Sequence, residues 1–316
     1  MKLAKTMKAR IRNRCTVVAI IAVAASVALA ASPLPQGAPE DTQAAAPSSG
    51  QNQNQGPVML AGPSLDNAFD DMYRLKFDDA RSVIGAYERL HPNDALGTVA
   101  EAASYLFEEF QRKGVFSSAF FLDDKKLLVG VDGTVAENRN TKFLDANGRA
   151  RTLANARLHT DSRDAEALLV LTLADGMESD YDALIEKKQI ASLELMKQAD
   201  AEASRVLALD PNLQDAYVSL GVASYIIGCL PSYKRAVLWF GGIHGDRERG
   251  MTLMQNAVVH GHYLQPFAKI MLALADEREH RYDLAQALLA GLARQFPENP
   301  HFAQELDIAQ KAGRGH

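Results

Sequence analysis

A spacing of 34 residues, with small and bulky side chains at fixed positions, recurs along this chain and predicts repeated pairs of antiparallel helices. Pro92, Pro211 and Pro297 can each close one such unit. If Pro211 ends a unit, the next begins at Gln214, and the bulky, glycine and small positions that follow are filled by Tyr217, Leu220, Gly221 and Ser224. A helix pair of this size cannot bury its own apolar face, so several pairs must stack.

The same spacing, fixed at Pro92 and at Pro297, predicts where paired helices pack. The packing positions hold small or apolar residues, which are Ala68, Phe77, Ala80 and Ile84 in the first unit and Ala273, Tyr282, Ala285, Leu289 and Leu292 in the last. This pattern resembles the tetratricopeptide repeat (TPR) family. The resemblance implies an all-α fold, a right-handed TPR-like helical-hairpin solenoid with two irregular insertions. In that fold the first helix of each pair lines a concave face.

The C-terminal part of the chain carries a second, more distant resemblance. Gly245-Asp246-Arg247 predicts the start of a helix with Asp246 as its N-cap, and Phe296-Pro297-Glu298-Asn299 closes a later unit. Over about Tyr217 to Phe302 these features are similar to the inclusion-body clearance TPR proteins of the mitochondrial outer membrane. This resemblance implies the same helical-repeat fold.

Two segments interrupt the repeat, because the three prolines are not whole multiples of 34 residues apart. The first is Val115 to Thr134, an apolar stretch around a charged centre, which predicts a short hairpin or an apolar lid. Its possible lid residues are Phe116, Phe120 and Phe121. In the second, Pro231 must end the preceding helix, and a new helix is expected from Tyr233 to Phe240.

The beginning of the chain predicts export. Residues 1–30 contain six basic residues and no acidic residue, and Thr16 to Leu29 is almost wholly apolar, as in a secretory signal peptide. Cleavage and retention as a membrane anchor both remain open. Residues 31–62 are rich in Ala, Pro, Gln, Ser and Gly and predict a disordered linker. Residues 63–316 then form one TPR-like α-solenoid domain, and the expected location is periplasmic or secreted.

Charge and cysteine content limit the partners that the exported chain can have. Loss of residues 1–30 changes the formal charge from −5 to −5 − 6 = −11, which argues against nucleic acid or an anionic membrane as partner. No integral membrane span is expected after cleavage. Cys15 would be removed with the signal peptide, which leaves Cys229 without an intramolecular disulfide partner. The apolar neighbours of Cys229 predict a buried, inert thiol.

The sequence offers no residues in a pattern typical of catalysis, so we expect no enzymatic activity and no cofactor. Gly-x-Ser-x-Gly and the phosphate-binding P-loop motif are both absent. His244, His260 and His262 lack the spacing of a metal site, and no metal is expected. Adjacent acids such as Glu108 and Glu109 point in different directions on a helix, which favours solvated faces.

The TPR resemblance also implies which residues would contact a partner in the concave groove. The candidate positions on first helices are Asp66, Phe69, Tyr73, Ser219, Tyr225, Glu277 and Arg278. Only Arg278 is basic, so this groove should not clamp a peptide's terminal carboxylate. The apolar positions could instead be covered by neighbouring repeats, by the Val115 to Thr134 lid or by another subunit.

Two functions are consistent with these features. The first is an exported, non-enzymatic TPR scaffold or adaptor that binds a protein, a peptide or a second copy of itself through its concave surface. The alternative is a periplasmic solute- or lipid-binding TPR component of a transport system, in which the three lid phenylalanines close over an apolar ligand. Partner identity and oligomeric state are left open.

Overall fold

The computed structural model describes residues 63–132 and 136–315 of the chain. The predicted signal peptide at 1–30 and the predicted linker at 31–62 lie outside these residues. All regular secondary structure in the described part is helical, which confirms the all-α prediction. Within the same residues, no helix combines the length and apolar character that crossing a bilayer requires.

Fourteen helices make up the described chain, with one π-helical turn at Asp182–Glu186. They are α1 (Leu65–Tyr73), α2 (Phe77–Leu90), α3 (Ala95–Arg112), α4 (Ser118–Phe121), α5 (Asp124–Val129), α6 (Glu137–Thr160), α7 (Ala165–Tyr181), α8 (Gln189–Leu209), α9 (Ala216–Cys229), α10 (Ser232–Phe240), α11 (Arg247–His260), α12 (Gln265–Arg278), α13 (Tyr282–Gln295) and α14 (Pro300–Arg314).

Short polar residues fix where many of these helices begin. Asp94 and Asp164 cap α3 and α7, and each carboxylate accepts a hydrogen bond from an amide in the first helical turn. Asn299 caps α14 in the same way, directly before Pro300 in the first turn. Such caps satisfy amides that have no partner within the helix. Asp246 accepts from the amide of Arg249 at 2.8 Å, which confirms the predicted cap of α11.

The long helices form antiparallel pairs that stack in chain order. The pairs are α1 with α2, α3 with α6, α7 with α8, α9 with α11, and α12 with α13, and α14 follows the last pair. In each step the second helix of one pair contacts the first helix of the next. The first helices α1, α3, α7, α9 and α12 also contact one another in succession, so together they form one continuous face.

Glycine makes the closest helix crossing possible. Gly221 of α9 and Gly250 of α11 lie where these two helices meet. A Cβ atom on Gly250 would lie 2.6 Å from the backbone nitrogen of Tyr225 and 2.8 Å from the carbonyl oxygen of Gly221. No ordinary side chain fits at that distance, so the small residue that the repeat pattern requires here has a steric reason.

The first helix reaches the last part of the array. Tyr73 of α1 donates its hydroxyl to the carbonyl oxygen of Tyr263 at 2.9 Å, and Asn299 donates its side-chain amide to the carbonyl oxygen of Tyr73 at 2.9 Å. The ring of Phe69 stacks on that of Tyr263, with centroids 4.9 Å apart. These contacts join sequence positions some two hundred residues apart, so the ends of the array meet.

One expectation about surface charge is wrong. Glu109 of α3 was expected on a solvated face, but it is buried and its two oxygens accept hydrogen bonds from Arg112 and Arg139. Arg139 also binds Glu108, at 2.7 Å. Burial alone would raise the pKa of Glu109, but the hydrogen bonds from Arg112 and Arg139 lower it. This ion-pair cluster ties α3 to α6.

Candidate functional site

A segment between α3 and α6 lies against the face formed by the first helices. We call residues 114–132 the strap; it contains the short helices α4 and α5. Gly114 and Gly130 turn the chain at its two ends with φ of 68° and 83°, a region that favours glycine. A side chain on Gly130 would also collide with the carbonyl of Leu184 in the π-helical turn. The strap therefore begins and ends in tight, specific turns.

Phe116 anchors the first part of the strap in an aromatic cluster. Its ring makes edge-to-face contacts with Phe107 and Phe110 of α3 and with Phe267 of α12, with centroids 5.7, 5.7 and 5.8 Å apart. Phe107 and Phe267 also stack on each other at 5.5 Å. Aromatic pairs in these geometries contribute about 0.5–1.5 kcal/mol each beyond their buried area. Phe116 thus bridges two first helices that are distant in sequence.

Phe121 anchors the second part of the strap. Its ring stacks on Tyr225 of α9 with centroids 6.0 Å apart and planes inclined by only 9°. Arg278 of α12 donates to the carbonyl oxygen of Phe121 at 2.8 Å and forms an ion pair with Asp124. The strap is therefore held here through the ring and carbonyl of Phe121 and the carboxylate of Asp124.

The hydroxyl of Tyr225 completes this part of the site. It lies 3.0 Å from a carboxylate oxygen of Glu279, which also receives a hydrogen bond from Arg247 at 3.1 Å. The pKa of Tyr225 is raised well above its ordinary value, first by burial and then by the nearby Cys229 and Glu279. The hydroxyl therefore stays protonated and donates its hydrogen bond. Cys229 itself is half-buried, and burial raises the pKa of its thiol. This thiol is therefore poorly suited to act as a nucleophile.

Two glutamates lie under the start of α4. Glu305 of α14 accepts a hydrogen bond from the backbone amide of Ser118 at 3.1 Å. Glu277 of α12 is 2 % exposed, and one of its carboxylate oxygens has no hydrogen-bond partner. Burial, followed by the negative charge of Glu305, raises the pKa of Glu277 to about 7. Glu277 is thus a buried carboxyl group that holds its proton into the neutral range.

Phe120 packs in a different apolar cluster from Phe121. It belongs to the apolar cluster formed by α3, α6 and the end of α7, which includes Phe143 and Tyr181. Farther along, the amide of Val131 donates to the carbonyl oxygen of Leu184 at 2.8 Å. The predicted lid residues are therefore all buried or half-buried; Phe120 and Phe121 belong to different clusters, and Phe116 packs against both.

The other candidate groove residues lie away from this centre. Phe69 and Tyr73 are buried where the two ends of the array meet. Asp66 is exposed and lies 2.6 Å from the side chain of His262. Ser219 is half-buried near Gly176 of α7. The structure thus brings Tyr225 and Arg278 together at the strap, with Glu277 beside Glu305; Tyr73 borders the cavity beside Phe116, and Asp66, Phe69 and Ser219 lie apart.

Most of the predicted groove is filled rather than open. A cavity of only about 40 Å³ remains between α1, α12, α14 and the ring of Phe116. Three important contributors were not identified from the sequence: Asp124, Glu305 and Phe267. Asp124 lies in the charged centre of the insertion and Glu305 lies in α14, and no local pattern indicates that they pair with residues more than 150 positions away.

Among the described residues, no three histidine, cysteine, aspartate or glutamate side chains come together in a way that could hold a metal ion. The chain matches no family model and no curated protein. The strap and the face beneath it, which comprises Tyr225, Phe267, Arg278 and Glu305, are therefore the best-defined candidate site on structural grounds.

Proposed function

We propose that this chain is an exported, non-enzymatic scaffold of the TPR type that binds a protein or peptide on the face beneath the strap. The pairwise stacking of helices, the succession of contacts between first helices and the glycine crossing at Gly250 support a TPR-like solenoid. The basic, apolar stretch at 1–30 supports export.

The observation that carries the proposal is the way Phe121 and Asp124 are held. A bound peptide is recognised through anchoring side chains in pockets and hydrogen bonds to its backbone. Here the ring of Phe121 stacks on Tyr225. Arg278 donates a hydrogen bond to the carbonyl oxygen of Phe121 and forms an ion pair with Asp124, three positions later. The strap therefore occupies the face as a peptide ligand would.

This arrangement also defines the chemistry of the partner. The partner segment should carry an aromatic residue followed three positions later by Asp or Glu, because such a segment can replace Phe121 and Asp124 on Tyr225 and Arg278. The strap would have to leave for the partner to enter. Its polar attachments include those to Arg278, Glu305 and the turn at Leu184 and the ion pair of Asp132 with Lys187, and local opening has to break these and release the buried rings of Phe120 and Phe121.

The alternative function, a solute or lipid carrier, is not favoured by this conformation. Pockets for small ligands usually enclose roughly 300–1,000 Å³. The cavity beside Phe116 has a volume of about 40 Å³, enough for water but not for a lipid chain. A carrier function would need the strap to move as well.

The test uses the strap itself as the peptide. A fluorescent synthetic peptide of residues 114–132 is titrated into the wild-type chain and into a variant with Phe116→Ser and Phe121→Ser, which weakens the attached strap. We expect binding to the variant with a Kd on the order of micromolar. Wild type should bind at least tenfold more weakly, because its own strap competes at an effective concentration of roughly millimolar.

Two controls make the result specific. Leu122→Ser changes an exposed apolar residue of the same strap and should behave as wild type. A peptide carrying the Phe121→Ala change should bind the double variant at least tenfold more weakly. Circular dichroism establishes that the double variant keeps its helices; a folded double variant that does not bind the peptide would contradict the proposal.

A further inference from the structure

A second feature stands apart from the strap and from the groove. We call residues 230–244, which include α10, the finger. It is inserted between α9 and α11, which pack directly against each other without it. The hydroxyl of Ser224 bridges across its base, donating to the carbonyl of Asp246 at 3.0 Å and accepting from the amide of Asp246 at 3.1 Å. The helix pair is therefore closed below the finger and does not depend on it.

The finger exposes an unusual amount of aromatic surface. Tyr233, Trp239 and Phe240 are 68 %, 61 % and 74 % exposed, and no residue of α10 is buried. No other described helix packs extensively against α10. A group of large apolar side chains left in water costs solubility and contributes nothing to this fold. Such a surface is typical of a binding site.

Helical geometry gives the finger one apolar side. At 100° per residue, Tyr233, Val237 and Phe240 lie within about 60° of one another around the axis of α10. Lys234 lies about 60° from Val237, at the edge of this stripe, whereas Arg235 lies on the opposite side of the helix, with Leu238 between the two basic residues. The helix is therefore amphipathic, with both of its charged residues outside the apolar stripe.

The charge of the finger is opposite to that of the chain. Residues 230–244 contain Lys234 and Arg235 and no acid, whereas the whole chain has a formal charge of −5, or −5 − 6 = −11 without residues 1–30. The overall charge argues against an anionic membrane as partner. However, charges more than about 10 Å apart are largely screened in salt solution, so a projecting basic segment acts by its own charge. Locally, the finger is suited to an anionic surface.

We propose that the finger docks this protein onto an anionic lipid surface, with α10 lying in the plane of the interface. Tyrosine and tryptophan favour the headgroup region, and basic side chains at the edge of an apolar stripe reach lipid phosphates. The nine residues of α10 are too few to span the hydrocarbon core, so the contact is superficial. The finger carries two basic residues and no acid, so a second copy of it has the same charge, and an anionic lipid surface is the better electrostatic match.

The experiment uses a probe that the chain already contains. Trp239 is its single tryptophan, so intrinsic emission reports on the finger alone. The full chain is mixed with vesicles of phosphatidylcholine, with or without phosphatidylglycerol. We expect Trp239 emission to shift to the blue and to be quenched by brominated acyl chains with the anionic vesicles, and to change little with neutral ones.

Variants separate the finger from other routes to the membrane. Replacing both basic residues, Lys234→Gln with Arg235→Gln, should weaken the partition measured by Trp239 emission on the order of 30-fold. The matched control, Lys311→Gln with Arg314→Gln, removes the same charge from α14 and should leave partition unchanged. Both double variants keep every buried side chain of α9 and α11, so neither is expected to unfold.

Three outcomes would overturn the proposal. The first is co-sedimentation with vesicles while Trp239 emission stays unchanged, which would assign membrane binding to another segment such as residues 1–30. The second is equal binding to neutral and anionic vesicles. The third is a concentration-dependent blue shift without any lipid, which would show that a second copy of the chain covers the finger.

Discussion

Glu277 shows how one buried side chain links this fold to pH. Its pKa is raised from 4.5 to about 7, first by burial and then by Glu305. Between these two pH values the folded state holds a proton that the unfolded state has released. The contribution of Glu277 to stability is therefore fully present below about pH 4.5 and is lost as the pH rises through about 7. Glu277→Gln should remove this decline and raise the free energy of unfolding at pH 8 by about 2 kcal/mol.

Urea unfolding at pH 5 and at pH 8 measures this effect. Wild type should lose stability between the two values, and the Glu277→Gln variant should lose about 2 kcal/mol less, because Asp200, Glu202 and Asp276, whose pKa values burial also raises, still titrate. Glu194→Gln alters an exposed carboxylate on α8 and serves as the control. Equal pH dependence in wild type and in the Glu277→Gln variant would mean that Glu277 is ionised in the folded chain.

Arg278 is the side chain that we expect to matter most for closing the strap. Its side chain is 13 % exposed and binds both the Phe121 carbonyl and Asp124. Arg278→Gln should therefore speed trypsin cleavage after the exposed Lys125 and Lys126 about tenfold, because opening becomes easier by about 1.4 kcal/mol. The Asp124→Asn change removes only an exposed ion pair and should have a smaller effect. Equal cleavage rates in all three proteins would contradict the role given to Arg278.

At the scale of helices, the crossing of α9 and α11 tolerates almost no added volume. Gly250→Ala places a methyl group against the backbone of Tyr225 and should lower the free energy of unfolding by about 1–3 kcal/mol. Gly291→Ala, in the open middle of α13, is the matched control and should raise it by about 0.5–1 kcal/mol. Thermal unfolding of both variants measures the difference. A neutral Gly250→Ala would show that the two helices do not approach this closely.

Individual helices could be predicted from the sequence because their signals are local. α9 ends at Cys229, two residues before Pro231, and α10 begins one residue before the expected Tyr233. Asp246 caps α11 as its position before a helical pattern predicts. The strap could be predicted as an apolar insertion but not placed, because its contacts depend on residues that only the completed array brings near. Arg278 and Asp124 are separated by 154 positions, and no repeat spacing records such a pair.

For the whole molecule, closure of the array has the largest consequence. The contacts of Tyr73 with Tyr263 and Asn299 bring the first and last helices together. Little free surface then remains on the face lined by the first helices, and the strap fills most of it. Tyr73 and Tyr225, which an open groove would present to a partner, are buried, so their alanine variants would cost about 3–5 kcal/mol of stability and would not report on binding alone.

The strap and the finger are also independent devices in this account. The strap covers a face inside the array, and its proposed occupant is a peptide with an aromatic and an acidic residue. The finger is inserted between α9 and α11, and its proposed partner is a lipid surface. Loss of Lys234 and Arg235 should therefore leave binding of the strap peptide unchanged, and loss of Phe116 and Phe121 should leave the lipid-induced shift of Trp239 emission unchanged.

The central claim is that the strap is a displaceable occupant of a binding face, and hydrogen exchange tests it most directly. Amide exchange of residues 117–124 is compared with that of α9 and α12, with and without an excess of the 114–132 peptide. We predict that the strap amides exchange much faster than those helices, through local opening, and faster still when the peptide competes. Exchange of the strap at the same slow rate as α9 and α12, unaffected by the peptide, would show that it is a permanent part of the core.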